Sequence, residues 1–383
     1  VGKTTLLRQE FPDWTYVVFD PVQDIAGARS DPDLFLQTHS APMILDEMQY
    51  APELAAALKR RVDEAPDRMG QYILTGSQQW QVLRQLSESL AGRVGFLDLE
   101  GFTLAEQGDA PHAAGWLGDW LRSPETDTLI GRTRIMLPRT LFSLVWRGSL
   151  PRACLADESI VTDLQRGYLR TYIERDARML ANLSDWQQFG MFVRLMASLT
   201  AREINYSQLG RDIGITPLTA KRWLRILEGT FQWYEIPAFA GNMVKRVSSK
   251  PKGYLADTGL ACHVLQITSP GGLAGHVLYG PLFETFVVAE IRKLIGQDGM
   301  GVGLYHWRSA GGAEVDIILE RDGVLYPIEI KGSTRVGRGD LSGVHAFRKS
   351  YPDRRIAPGL VIAPVDAARP LTANDAVVPW DSL

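Results

Sequence analysis

Gly2-Lys3-Thr4 stands at the head of the sequence, and about forty residues later an apolar run, Met43-Ile44-Leu45, ends in the adjacent carboxylates Asp46-Glu47. The first group matches the end of G-x-x-x-x-G-K-[ST], a loop whose backbone NH groups cradle phosphates while the lysine reaches the β and γ oxygens. The second is the pattern that puts one carboxylate on a magnesium shell and the next beside an attacking water. Each is common by chance, but in this order they point to a nucleotide site. Gly2, Lys3, Thr4 and Thr5 would hold ATP, Thr4 and Asp46 would hold Mg2+, and Glu47 would polarise water. Tyr72-Ile73-Leu74 then ends in Thr75-Gly76-Ser77 at the carboxyl end of a neighbouring strand, where open α/β sheets bind ligands, so Thr75 or Ser77 could position that water. Arg93 could neutralise developing phosphate charge as an arginine finger, in its own or a neighbouring subunit, or could form a surface ion pair. The chain begins at Val1, inside the phosphate loop, so it reads as cut there and is expected to bind ATP poorly.

A second set lies near the other end. Asp322-Gly323 is a two-residue hairpin signal between Glu314–Glu320 and Val324–Lys331. Pairing Arg321 with Val324 sets Asp316 opposite Glu329 and Glu314 opposite Lys331. Period-two alternation then places these four on one face, with Val315, Ile317, Ile328 and Ile330 on the other. Facing carboxylates repel unless a cation sits between them, and Mg2+ or Mn2+ suits oxygen ligands. Asp316, Glu329 and Lys331 would be catalytic there, and Glu284, from a preceding helix, would be a further ligand. The spacing D-x12-E-x-K matches the PD-(D/E)xK nuclease signature, with Val315 in place of its proline. The alternative is a solvated hairpin face on which Lys331 pairs with Glu314 and Glu329.

A third set lies between them. In Asn205–Leu227, Ser207 can cap a first helix, Gly214 makes a turn, and Thr216 caps a second helix with Pro217 at its first position. This is a helix-turn-helix whose Lys221, Arg222 and Arg225 would contact DNA, or whose cations are only solvated in a structural linker. Lys245, Arg246, Lys250 and Lys252 add a basic cluster after a wing strand at 233–238.

The elements that must position these sets alternate in kind. Strands at 15–20, 42–47, 71–76 and 94–99 separated by helices imply a parallel sheet wrapped by helices. Residues 108–139 read as a linker or insert, 140–240 as helical with a winged helix-turn-helix, and 241–383 as a second α/β domain. The fold class is thus α/β with a helical middle. A length of 383 residues allows two to three domains, and 41 Lys and Arg against 44 Asp and Glu leave a net charge of −3, which names no partner. No apolar run is long enough for a membrane span, and two isolated cysteines, Cys154 and Cys262, argue against a disulfide framework or zinc cluster. A cytoplasmic protein is expected.

The chain resembles a widespread prokaryotic family of AAA-type ATP-binding proteins whose C-terminal half joins a winged helix to a restriction-endonuclease-like domain. The resemblance spans nearly the whole chain. It rests on GKTTL, ILDE, residues 89–93 (SLAGR), 168–176 (YLRTYIERD) and 254–261 (YLADTGLA), and on Glu314-Val315-Asp316 with Ile328-Glu329-Ile330-Lys331. Arg147-Gly148-Ser149-Leu150-Pro151 looks like a further family turn in which Ser149 replaces a second glycine. The resemblance implies a first domain at 1–107 that hydrolyses ATP with Mg2+, coupled to DNA binding and a metal-dependent nuclease-like domain. The alternative is a nucleotide-dependent switch, or a DNA- or protein-binding module, with an inactive nuclease-like scaffold. Oligomerisation is left open.

Overall fold

The computed structural model describes residues 2–76, 90–110, 115–173, 186–242, 246, 249–299 and 301–382. The chain divides into two compact units, Val1–Leu99 and Glu100–Leu383.

In the first unit, α1 (Lys3–Glu10), β1 (Thr15–Val18), α2 (Pro32–Thr38), β2 (Met43–Asp46), α3 (Leu54–Glu64) and β3 (Tyr72–Leu74) follow one another. The three strands are parallel in the order β1-β2-β3. All four residues of β2 are buried, as a central strand covered on both faces requires. Asp31 caps α2 by accepting from the Leu34 NH, with Pro32 at the first helical position. Residues 94–99, expected as a fourth strand, form none. Phe96, Leu97 and Leu99 lie exposed there, so the run buries none of the apolar face that gives β-propensity its weight. The helix expected at 79–90 lies almost wholly outside the described residues.

The second unit begins with α4 (Leu104–Gln107) and α5 (Trp116–Arg122). Both fall in or beside the stretch expected as a linker or insert, yet Trp116, Leu117, Trp120 and Leu121 are buried in the core. The Trp120 ring packs edge-on against Tyr326 and its neighbour Trp116 stacks at a tilt on it. A Gly- and Asp-rich flank therefore concealed an amphipathic helix. Next come α6 (Leu141–Arg147), α7 (Pro151–Leu155), α8 (Glu158–Tyr168), α9 (Trp186–Ser198), β4 (Arg202–Glu203), α10 (Tyr206–Ile213), α11 (Pro217–Gly229), β5 (Trp233–Ile236) and β6 (Lys252–Leu255), the three strands forming an antiparallel sheet in the order β4-β6-β5. After α12 (Thr258–Val264), α13 (Pro270–Ala274) and the long α14 (Tyr279–Asp298), a mixed sheet is built from β7 (Gly303–Arg308), β8 (Glu314–Arg321), β9 (Val324–Ile330), β10 (Arg355–Ile356), β11 (Leu360–Ala363), β12 (Arg369–Pro370) and β13 (Ala376–Pro379), with α15 (Ser342–Ser350) packed on it.

One hydrophobic core runs from Leu104 to Trp380 and joins the helical middle to the C-terminal sheet, and two smaller clusters pack on that sheet besides. Two family stretches interlock inside it. The buried Asp257 carboxylate caps α12 by accepting from the Leu260 NH and also takes the Ser149 NH and hydroxyl. A Cβ on Gly259 would stand 2.1 Å from the Arg147 carbonyl oxygen, so only glycine fits that close approach. Both stretches are structural turns.

Candidate nucleotide site and buried carboxylate cluster

Gly2 takes a left-handed conformation (φ 75°) immediately before α1, and Lys3 and Thr4 occupy its first turn. β2 carries Asp46 to the carboxyl end of the sheet, where its side chain is 2% exposed as a residue and gathers hydroxyls from three elements. The Thr4 hydroxyl donates at 2.9 Å from α1, the Thr75 hydroxyl at 2.5 Å from the end of β3, and the Tyr16 hydroxyl from β1. The Glu47 NH adds a fourth donor at 3.0 Å. Burial works against ionisation of Asp46, but the Thr75, Tyr16 and Thr4 hydroxyls outweigh it and hold the carboxyl below its ordinary value. Burial and the bond to Asp46 push the Tyr16 phenol up, so it remains a donor. An ionised carboxylate beside a threonine hydroxyl is the donor chemistry that magnesium takes, and the residues fit that ion.

Glu47 follows at φ 61°, a conformation unusual for a residue with a side chain, and Gln49 Nε2 donates to its carboxylate. The strained backbone turns Glu47 out of the strand at the end where Asp46 sits. Lys3, Thr4, Asp46, Glu47 and Thr75 are thus gathered at one end of the sheet, and Thr5 sits exposed on α1. Ser77 lies outside the described residues. Arg93 is not part of the group. Its guanidinium grips Asp63 through both Nε and Nη2 and donates to the Ala91 carbonyl at 2.9 Å. Asp63 is near the carboxyl end of α3, which runs back from β2 toward the start of β3, so this pair marks the opposite end of the sheet from Asp46. Sequence reasoning passed over Tyr16, whose alternation within an apolar strand resembles ordinary core.

In the second unit the hairpin forms in the expected register, with Arg321 opposite Val324 and Ile317 opposite Ile328. Asp322 and Gly323 both take positive φ, as the tight turn requires. The alternation fails at one point. Between Tyr305 and Trp307 the β7–β8 pairing shifts by a residue, a bulge opposite His306. Val315 therefore packs with Ile318, Leu325 and Phe347, while Ile317, Ile328 and Ile330 face the other core. Asp316, at the bulge, is 4% exposed and Glu329 2%. Glu314 is not with them. It is exposed, 3.8 Å from Arg308.

The cation among these carboxylates is Lys252, expected in an exposed basic cluster. It is 7% exposed, and its Nζ lies 2.6 Å from Glu284 and 3.0 Å from Asp316. Tyr254, two residues along the same strand face, donates to Glu284 at 2.8 Å. The second Asp316 oxygen accepts the Ile330 NH at 2.9 Å, and Lys331 donates to Glu329 at 3.0 Å. Burial raises the Glu284 carboxyl to about 7, with Asp316 adding to the rise and Lys252 opposing it. Burial, then the Asp316 charge, raises Glu329 as well, whereas the two lysines hold Asp316 low against its burial. Three carboxylates share two ammonium groups, and burial favours the protonated form of Glu284 and Glu329 over that of Asp316. Gly343 of α15 roofs Glu329, for a Cβ there would stand 2.3 Å from its Oε1. Asp316, Glu329 and Glu284 thus do not fit a metal in this arrangement, and among the described residues no group of His, Cys, Asp and Glu could hold one.

The helix pair is built much as expected, with one correction. Asn205, not Ser207, caps α10, its side chain accepting from the Ser207 and Gln208 NH groups, because the helix begins two residues earlier. Gly214 is left-handed, Thr216 accepts from the Thr219 NH, and Leu224 and Leu227 are buried. Lys221, Arg222 and Arg225 stand exposed on α11. The second basic cluster is mostly spent inside the unit. Besides Lys252, Arg246 pairs with Glu320 at 2.7 Å and lies over the Phe239 and Tyr305 rings, leaving Lys250 exposed. Lys245 lies outside the described residues. A cleft of about 550 Å³ beside α10 is lined by Asn205, Tyr206, Lys221, Glu235 and Lys250 among others.

"Uncharacterized protein Rv2008c" of Mycobacterium tuberculosis and "Uncharacterized protein Mb2031c" of Mycobacterium bovis are each 27% identical over all of this chain and 78% of their own length. Among solved structures, protein VC1899 from Vibrio cholerae matches at 13% identity and a TM-score of 0.20, over 96% of this chain and 94% of its own. No helix among the described residues is long and apolar enough to cross a membrane. Residues 138–271 match a domain of unknown function (DUF8612), residues 279–383 another (DUF4143), and residues 1–107 an AAA domain. Residues 1–107 are thus similar to AAA domains, and most of the remaining chain to two domains of unknown function.

Proposed function

We propose that this chain binds and hydrolyses ATP and that its nucleotide state controls DNA binding through a winged helix formed by α9–α11 and the β4-β6-β5 sheet. The nuclease-like α/β fold around α14 and β7–β9 is a scaffold in this scheme. The observation that carries it is Asp46, ionised and held by hydroxyls from α1, β1 and β3 at the end of the sheet where Lys3 begins a helix. Lys3 and the α1 NH groups hold phosphate oxygens, and Thr4 and Asp46 hold magnesium, with Thr5 flanking them. Magnesium bound there neutralises charge on the phosphates. Glu47 orients and takes the proton of an attacking water, and Thr75 holds Asp46 in place. Exposed Lys221, Arg222 and Arg225 face the DNA backbone, contributing a salt-dependent term of about one counterion per cation.

Duplex-DNA anisotropy titrations test the reading as a whole. With Glu47→Gln holding ATP and wild type holding ADP, DNA affinity should differ by at least about fivefold. Equal affinity in the two states, or no salt-dependent binding in either, would reject it.

A further inference from the structure

We propose that Lys252 is the resident cation of the Glu284–Asp316–Glu329 cluster, standing where a divalent ion would stand and closing the site to metal. The inference is independent of ATP turnover and of DNA binding. Lys252 belongs to β6, the central strand of the β4-β6-β5 sheet, whereas Glu284 comes from α14 and Asp316 from the bulge in β8. An ammonium 2.6 Å and 3.0 Å from two carboxylates supplies the positive charge that their burial demands. The strand positions it firmly. All four β6 residues are buried, Tyr254 anchors Glu284 from the same face, and a Cβ on the intervening Gly253 would meet the Trp233 ring at 2.0 Å. Asp316 has one oxygen on Lys252 and the other on the Ile330 NH, and Glu329 is engaged by Lys331 beneath Gly343. A metal could enter only by displacing Lys252, which would leave a nearly inaccessible lysine without its partners. The same contact ties the helix-pair sheet to the hairpin.

Mn2+ binding to the nucleotide-free full chain, followed by electron paramagnetic resonance at about pH 8, tests this directly; binding is assigned to the cluster only if Asp316→Asn removes it. Wild type should show no such binding, and Lys252→Met should gain one Mn2+ with an affinity at least about tenfold above the weakest binding the wild-type titration could detect. Wild-type binding that Asp316→Asn removes would overturn the proposal whatever the variants do, as would a folded Lys252→Met with no gain. If that variant does not fold, Lys252→Met/Glu284→Gln, which loses the ammonium with one of its carboxylates, is read in the same way. Should neither fold, recovery by Mn2+ but not Na+ during refolding supports the inference, and no recovery overturns it.

Discussion

Replacing Lys252 with methionine keeps the length of the side chain and removes its charge. Glu284 and Asp316 then lose a partner held at 2.6 Å and 3.0 Å, in a place where Lys252 itself is only 7% exposed. Removing one member of a buried ion pair costs about 3–5 kcal/mol, far more than the pair contributes over an apolar substitute. With a urea slope of about 3 kcal/mol per M, the midpoint should fall by about 1–1.7 M. Tryptophan fluorescence reports it well, since Trp116, Trp120, Trp223, Trp233, Trp307 and Trp380 all lie in the second unit. The loss should also depend on pH. Glu284 holds its proton more tightly folded than unfolded, so its burial costs nothing in acid and costs increasingly as pH rises from 4.5 to about 7. That interval corresponds to about 3 kcal/mol. Without Lys252 the folded carboxyl rises further, so the Glu284 contribution to the difference between variant and wild type should be small near about pH 5 and widen above about pH 7. A midpoint shift below about 0.2 M at about pH 8, or one that is the same at about pH 5 and about pH 8, would refute this role for the ion pair.

Other perturbations separate the remaining parts. Trp120→Ala should destabilise the second unit by about 3–5 kcal/mol, since Trp120 is fully buried, and a neutral result would restore the linker expectation for 108–139. Tyr16→Phe should lower kcat for ATP about three- to tenfold with little change in KM, because one of three hydroxyl donors to Asp46 is lost; unchanged kcat would remove Tyr16 from a positioning role. Replacing Lys221, Arg222 and Arg225 together by alanine should weaken duplex-DNA binding and flatten its salt dependence by about three counterions, and an unchanged slope would move the DNA contact elsewhere. Thr216→Ala should cost about 1 kcal/mol by freeing the Thr219 NH, measurable as a lower Tm.

Local chemistry was the legible part of this sequence. The Asp322-Gly323 turn dictated the register of β8 with β9, because both residues must accept positive φ. Pro217 and Thr216 likewise announced the start of α11, and MILDE announced a buried strand ending in carboxylates. Features that depend on distant partners were hidden. Lys252 meets Asp316 across 64 positions of sequence, and nothing local distinguishes it from the exposed Lys250 two residues earlier except the buried strand it enters. Arg93 and Asp63 are 30 apart, and their pairing depends on where α3 ends. The β8 bulge arises from fitting β7, which the hairpin alone could not reveal, and it is what turns Asp316 away from strict alternation. The apolar run at 94–99 has strand composition, but Phe96, Leu97 and Leu99 stay exposed and it pairs with no strand.

Steady-state hydrolysis of ATP with magnesium by the full chain, wild type against Glu47→Gln, decides most directly whether the first unit is a working nucleotide site. Wild type should turn over ATP, and Glu47→Gln should lose at least about 100-fold in kcat while still binding ATP in calorimetry. Equal turnover in the two proteins, or no ATP binding to either, would contradict the assignment of Asp46 and Glu47.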